Sequence, residues 1–326
     1  MARLVTIFGG SGFVGRYVAR RMARQGWRVR VAVRRPNEAH FVRPYGTVGQ
    51  VDAVFCNIRD DDSVRAATRG AEAVVNCVGT FETRGRNSMD ALQHLGAERI
   101  ARIATEEGVA RLVHISAIGA DAEGDSAYAR SKGRGEEDVL AAFPTAVILR
   151  PSVAFGPEDQ FFNRFAGMAR MSPVLPLFGA STKFQPVYVD DVAQAAVAGV
   201  TGQAAPGIYE LGGPDVMDFR EVIRTMLDVI RRRALIVGLP FWAGRIIAAV
   251  TGALSFVTGG LFKAPVTSDQ LIQLRHDNVV SGNARGFADL GIAPMAAEAV
   301  IPSYLWQFRP DGQYSDLTRG KRNLRH

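Results

Sequence analysis

Tyr128-Ala-Arg-Ser-Lys132 places a phenol and an ammonium four residues apart. On a helix that is one turn, so the two side chains share a face. There the ammonium lowers the phenol's pKa, and the phenol can give or take a proton near neutral pH. A hydroxyl partner is expected just upstream, where His114-Ile-Ser116-Ala117 closes a strand and offers Ser116. Strand alternation leaves a second reading open: if Ala117 holds that place, Ser116 points away from the substrate. No metal site is expected.

A second set of residues could hold an anion. The β-branched run from Leu4 ends at Phe8, and glycines follow at 9, 12 and 15 before the helical pattern of Val14, Val18 and Met22. Gly9 permits a tight turn, Gly12 a close backbone approach and Gly15 close packing of helix on strand. The N–H groups around Phe13 and Val14 then face a pyrophosphate. The second strand ends in Arg34-Arg35-Pro36, 19 residues after Gly15. NAD-specific sites place a carboxylate there for the ribose hydroxyl, whereas guanidinium pairs bidentately with a 2′-phosphate. Arg16 can add to the same pocket, so NADPH is the expected cofactor.

These residues need a frame. Strands are predicted at about 3–8, 28–33, 51–55, 73–77, 111–116 and 145–149, and helices at about 13–25, 61–68, 88–107, 126–142 and 159–170. Strand–helix alternation makes an α/β fold, a doubly wound parallel sheet of the Rossmann type, with a smaller mixed C-terminal region. The expected boundaries are a dinucleotide domain over 1–155, an interleaved region over 156–310 and a basic tail over 311–326. Cofactor contacts are expected where strands end: Asn57 and Ile58 after the third, Val78 and Gly79 after the fourth, Pro151 and Ser152 after the sixth. Cys56 and Cys77 close strands that are not neighbours in such a sheet, which argues against a disulfide. The net charge of +7 is carried by 35 Arg and four Lys. No basic stripe is interleaved with aromatics, so nucleic acid is not an expected partner and anionic phosphates or an acidic surface are. The chain opens directly in its first strand, from which folding in the compartment of synthesis is expected.

The second half carries one clear helix. Asp218 and Glu221 form a capping box, and Phe219, Val222, Ile223, Met226, Leu227 and Ile230 repeat at helical spacing. It ends in Arg231-Arg-Arg233, suited to the negative end of the helix dipole, with an anion site as the other reading. Residues 235–262 then hold a single charge, Arg245. The run is too interrupted by Pro240, Gly252, Gly259 and Gly260 to span a bilayer. It is expected to lie on a membrane, with cover by another subunit or burial as a helix pair as the alternatives.

With the glycine turn, Tyr128-x-x-x-Lys132 and Pro186-Val-Tyr-Val-Asp190-Asp-Val-Ala193 in place, the chain resembles the atypical, extended branch of the short-chain dehydrogenase/reductase superfamily. Ala141 to Ser152, Phe155 to Phe165 and Pro173-Val-Leu-Pro-Leu resemble one subgroup within it, the NAD(P)H-binding accessory subunits of respiratory complex I and their bacterial relatives. That resemblance implies tightly held NADPH and a structural or assembly role beside the peripheral-arm and membrane subunits near the quinone site. It also implies contact with an anionic membrane surface. Joined to the chain's opening strand, it points to a peripheral place on the cytoplasmic side of a bacterial inner membrane. Two other readings stay open: an NADPH-dependent reductase or epimerase using Tyr128 and Lys132, and a regulatory dinucleotide sensor.

Overall fold

The computed structural model describes residues 3–83, 85–257, 267–310 and 312. Six strands alternate with helices through the first half: β1 (Leu4–Phe8), β2 (Arg28–Val33), β3 (Val51–Phe55), β4 (Ala73–Asn76), β5 (Arg111–Ile115) and β6 (Val147–Pro151). A seventh strand, Gly207–Leu211, joins β6 at one edge. The order across the sheet is then β6, β5, β4, β1, β2 and β3, with all pairs parallel. The central strands are buried on both faces, which is why they read as unbroken apolar runs; β4 is Ala-Val-Val-Asn with every residue buried.

Helices α1 (Phe13–Arg24), α2 (Asp61–Thr68), α3 (Leu95–Glu106) and α4 (Ala127–Ala142) cover the two faces. A π turn at Asp90–His94 leads into α3, so the helix expected over 88–107 is broken in its geometry near the start. Among the elements that escaped the sequence reading, two bear on the sheet. The edge strand Gly207–Leu211 was obscured by Glu210, whose carboxylate is buried because Arg150 and Ser281 partner it. Helix α6 (Val189–Thr201) is almost wholly buried and lies on α1, where Asp190 makes a bidentate pair with Arg21 at 2.8 and 2.9 Å. The aspartate of the Val-Tyr-Val-Asp motif therefore clamps two helices together.

The chain divides into two compact units that interleave along the sequence. The first is residues 1–152, 189–212 and 280–294; the second is 153–188, 213–279 and 295–326. The second unit is built on a phenylalanine cluster, in which the Phe161 and Phe219 rings touch each other and each also touches Phe165 and Phe184, flanked by α5 (Phe162–Met171) and α7 (Phe219–Ile230). The capping box at Asp218 and Glu221 is formed in both directions.

The apolar segment is not helical throughout. Leu235–Leu239 is a strand, paired in parallel with Val174–Phe178. Helix α8 (Phe241–Val257) follows Pro240, and residues 258–262 lie outside the described residues. No helix among the described residues is long and apolar enough to cross a membrane. Cys56 and Cys77 are free, with β1 and β2 lying between their strands.

Candidate functional site

The sequence-selected residues of the first unit lie at one edge of its sheet. Gly9, Arg34, Asn57 and Ile58, Val78 and Gly79, Ser116, and Pro151 and Ser152 each follow or close the carboxyl end of a parallel strand. The strand order reverses between β1 and β4, and open α/β sheets bind ligands in the crevice at that point.

The glycine turn is built for close approach. Gly9 has φ +72°, and a Cβ there would lie 3.2 Å from the Cys77 carbonyl and the Val78 nitrogen. A Cβ on Gly15 would lie 2.4 Å from the Gly9 oxygen, which fixes how tightly α1 packs on β1. No side chain caps α1 at Gly12, so the first-turn N–H groups at Phe13, Val14 and Gly15 are left for an anion. Arg16 turns back on the loop, with Nη2 donating to the Ser11 carbonyl at 3.1 Å and the guanidinium lying over the Phe41 ring. Arg34 is exposed and makes no ion pair or hydrogen bond among the described residues, whereas Arg35 pairs with Glu38 at 3.0 Å. One free guanidinium thus stands at the end of β2. These features fit a dinucleotide.

Tyr128 and Lys132 share a face of α4, but their electrostatics differ from expectation. Loss of solvent at the phenol pushes Tyr128 up to about 12, and Phe81 stacks on its ring at a centroid distance of 5.2 Å. The expected lowering of the phenol by the ammonium is therefore corrected: desolvation wins. Burial brings Lys132 down to about 8, opposed by the Glu136 carboxylate, and its Nζ donates to the Ile115 carbonyl at 3.0 Å. A dinucleotide bound here would supply a hydride at its nicotinamide, and Tyr128 would be the residue with a proton to give.

Ser116 is buried, and its hydroxyl donates to Glu136, one turn beyond Lys132 on α4. Glu136 also takes a bidentate pair from Arg150, at 2.9 and 2.5 Å. Arg150 in turn lies 3.6 Å from Glu210, whose other oxygen accepts from Ser281. Sequence reasoning missed Glu136, Arg150 and Glu210. Behind the site, Asn76 donates to His114 Nδ1 at 3.1 Å and accepts from the Val78 N–H, tying the end of β4 to β5. Burial lowers His114 to about 3, so it is a neutral spacer.

Comparison with known proteins places this geometry. Residues 5–212 match the model of the NAD dependent epimerase/dehydratase family. The chain is 36% identical to the mitochondrial NADH dehydrogenase [ubiquinone] 1 alpha subcomplex subunit 9 of Arabidopsis thaliana, over 95% of this chain and 79% of that one. It is 29% identical to the mitochondrial NADH-ubiquinone oxidoreductase 40 kDa subunit of Neurospora crassa, over 95% and 80%. It is also 31% identical to a ceramide reductase of Caulobacter vibrioides, over 73% and 74%. Among solved structures, that of gox2253 superposes with a TM-score of 0.69 at 22% identity, covering 95% of this chain and 99% of the other, and so shares the fold.

The expected place on a bacterial inner membrane is corrected by these relatives, since the two complex I subunits are mitochondrial proteins. Where the first strand begins is a property of the sheet and carries no address. The chain belongs to the NAD dependent epimerase/dehydratase family, short-chain dehydrogenase/reductase-type proteins that bind NAD(P), and within it to the line of the complex I alpha subcomplex subunit 9 proteins.

Proposed function

We propose that the chain is an accessory subunit of respiratory complex I that holds NADPH as a structural element without turning it over. The relationship to two complex I subunits across 95% of the chain carries the assembly part of this reading. Its partners are then peripheral-arm and membrane subunits near the quinone site, together with an anionic membrane surface. The observation that carries the non-catalytic part is Ser116, whose hydroxyl is committed to the Glu136–Arg150 pair. A short-chain reductase needs that hydroxyl to polarise a substrate carbonyl. With it engaged elsewhere and Tyr128 raised to about 12, the site holds a ribose better than it transfers a proton. Arg34, free at the end of β2, favours NADPH over NADH.

A second reading is favoured by the retained Tyr128–Lys132 pair and by the similarity to a ceramide reductase. It makes the chain an NADPH-dependent reductase or epimerase that acts on a precursor of ubiquinone. Tyr128→Phe separates the two. On the first reading the variant supports complex I assembly and NADH:ubiquinone turnover as the wild type does. A loss on the order of a hundredfold in an NADPH-dependent reduction, the size of a general-acid contribution, establishes the second.

A further inference from the structure

In the second unit, a groove of about 340 Å³ is lined by Arg170, Arg231, Arg232 and Arg233 together with Met171, Ser172, Pro173 and Pro310, with no carboxylate among the described residues that line it. Arg170 lies in the last turn of α5, and Arg231 follows the last residue of α7. The plain explanation is that cations stabilise helix C-termini, but the magnitudes do not balance. Two C-termini present about −1 charge together, against the three guanidinium groups of Arg170, Arg232 and Arg233 even with Arg231 left out of the count. The C-terminal carbonyls also have another partner: Arg309 Nε donates to Val229 in the last turn of α7 at 2.9 Å. Arg232 is held in place by its bond to the Phe308 carbonyl at 2.7 Å, while Arg170 and Arg233 make no bond or ion pair among the described residues. Arg231 is the one non-glycine residue at positive φ among those described, at 55°. A glycine there would cost less backbone strain.

The surroundings indicate what kind of anion this is. Met171 lines the groove and is 82% exposed, and the register partners Val174 and Leu235 beside it are 41% and 65% exposed. A soluble anion gains nothing from bare apolar side chains at the rim, whereas a phosphate carrying acyl chains does.

We propose that the four arginines form a phosphate-binding site, filled by the headgroup of an anionic phospholipid. This deepens the anionic-surface part of the proposed function and does not depend on complex membership, which is tested separately by co-purification. The full chain with its bound nucleotide is sedimented with phosphatidylcholine vesicles that contain or lack phosphatidic acid. Binding is expected only with phosphatidic acid, and Arg170→Gln with Arg233→Gln should weaken it by about fivefold per arginine. The control is Arg24→Gln with Arg134→Gln, which removes the same charge from exposed positions of the first unit and should retain at least most of the binding. Titration with inorganic phosphate alone distinguishes the source. Phosphate binding that depends on Arg170 and Arg233 without vesicle binding keeps the site and assigns it to a soluble phosphate. Binding of neither probe, or equal losses in both double variants, overturns the proposal.

Discussion

Arg34 and Lys132 carry the cofactor argument at the scale of single residues. Arg34 is exposed and unpaired at the end of β2, so reversing its charge tests the choice of nucleotide with little effect on the fold. Arg34→Asp should weaken NADPH by about 2 kcal/mol and change NADH far less, as measured by nucleotide titration of the emptied protein. Lys132 gives a pH signature. Unfolded, it keeps its proton up to 10.5; folded, burial makes it give the proton up at about 8. Its burial thus costs stability in full below pH 8, and the cost fades as pH rises from 8 to 10.5. The gross size is about 3 kcal/mol, less the bond from Nζ to the Ile115 carbonyl. Lys132→Met should therefore raise the melting temperature of the nucleotide-free protein at pH 7 and lose that advantage by pH 10.5. Equal differences at both pH values would contradict the assignment. Tyr128 and Lys132 were legible because four-residue spacing on a helix is local. The orientation of Ser116 was not, since alternation fixes faces only once the register is known. Glu136, Arg150 and Glu210 were invisible for a related reason: their partners lie far apart in the chain and meet only when β5, β6 and the edge strand pair.

Among the elements, α8 breaks the usual rule of large residues inside. Gly244 and Ala248 are buried, and a Cβ on Gly244 would lie 3.0 Å or less from Leu271 and the Phe178 ring. Trp242, Arg245, Ile246 and Ala249 instead make an exposed stripe at helical spacing. The small residues let the helix approach its neighbours, and the large apolar ones await cover. Burial against a membrane or a partner recovers about 2 kcal/mol for each of Trp242 and Ile246. Trp242→Ser with Ile246→Gln should release the protein from isolated membranes while leaving NADPH bound, read by fractionation and nucleotide extraction. Retention on the membrane would show that the stripe is not the contact. The strand at Leu235–Leu239 was not foreseen because an unbroken apolar run has no period to distinguish strand from helix. The six strands of the first half were easier, being short, β-branched and bounded by glycine or polar turns.

The whole molecule joins a dinucleotide frame to a second unit with an arginine groove and an apolar helix face. Strand–helix alternation made the frame legible, but the boundaries of the units were not, because three stretches of sequence contribute to each. Family membership fixes the frame; a role without turnover in complex I is the claim that needs a direct measurement. The most direct one is purification of the native protein in mild detergent, with mass spectrometric identification of the co-purifying chains and acid extraction of the bound nucleotide. The account predicts complex I subunits of the peripheral arm and quinone region, with stoichiometric NADPH that is not consumed during NADH:ubiquinone turnover. A monodisperse protein that migrates alone, or carries NAD(H) without a 2′-phosphate, would contradict it.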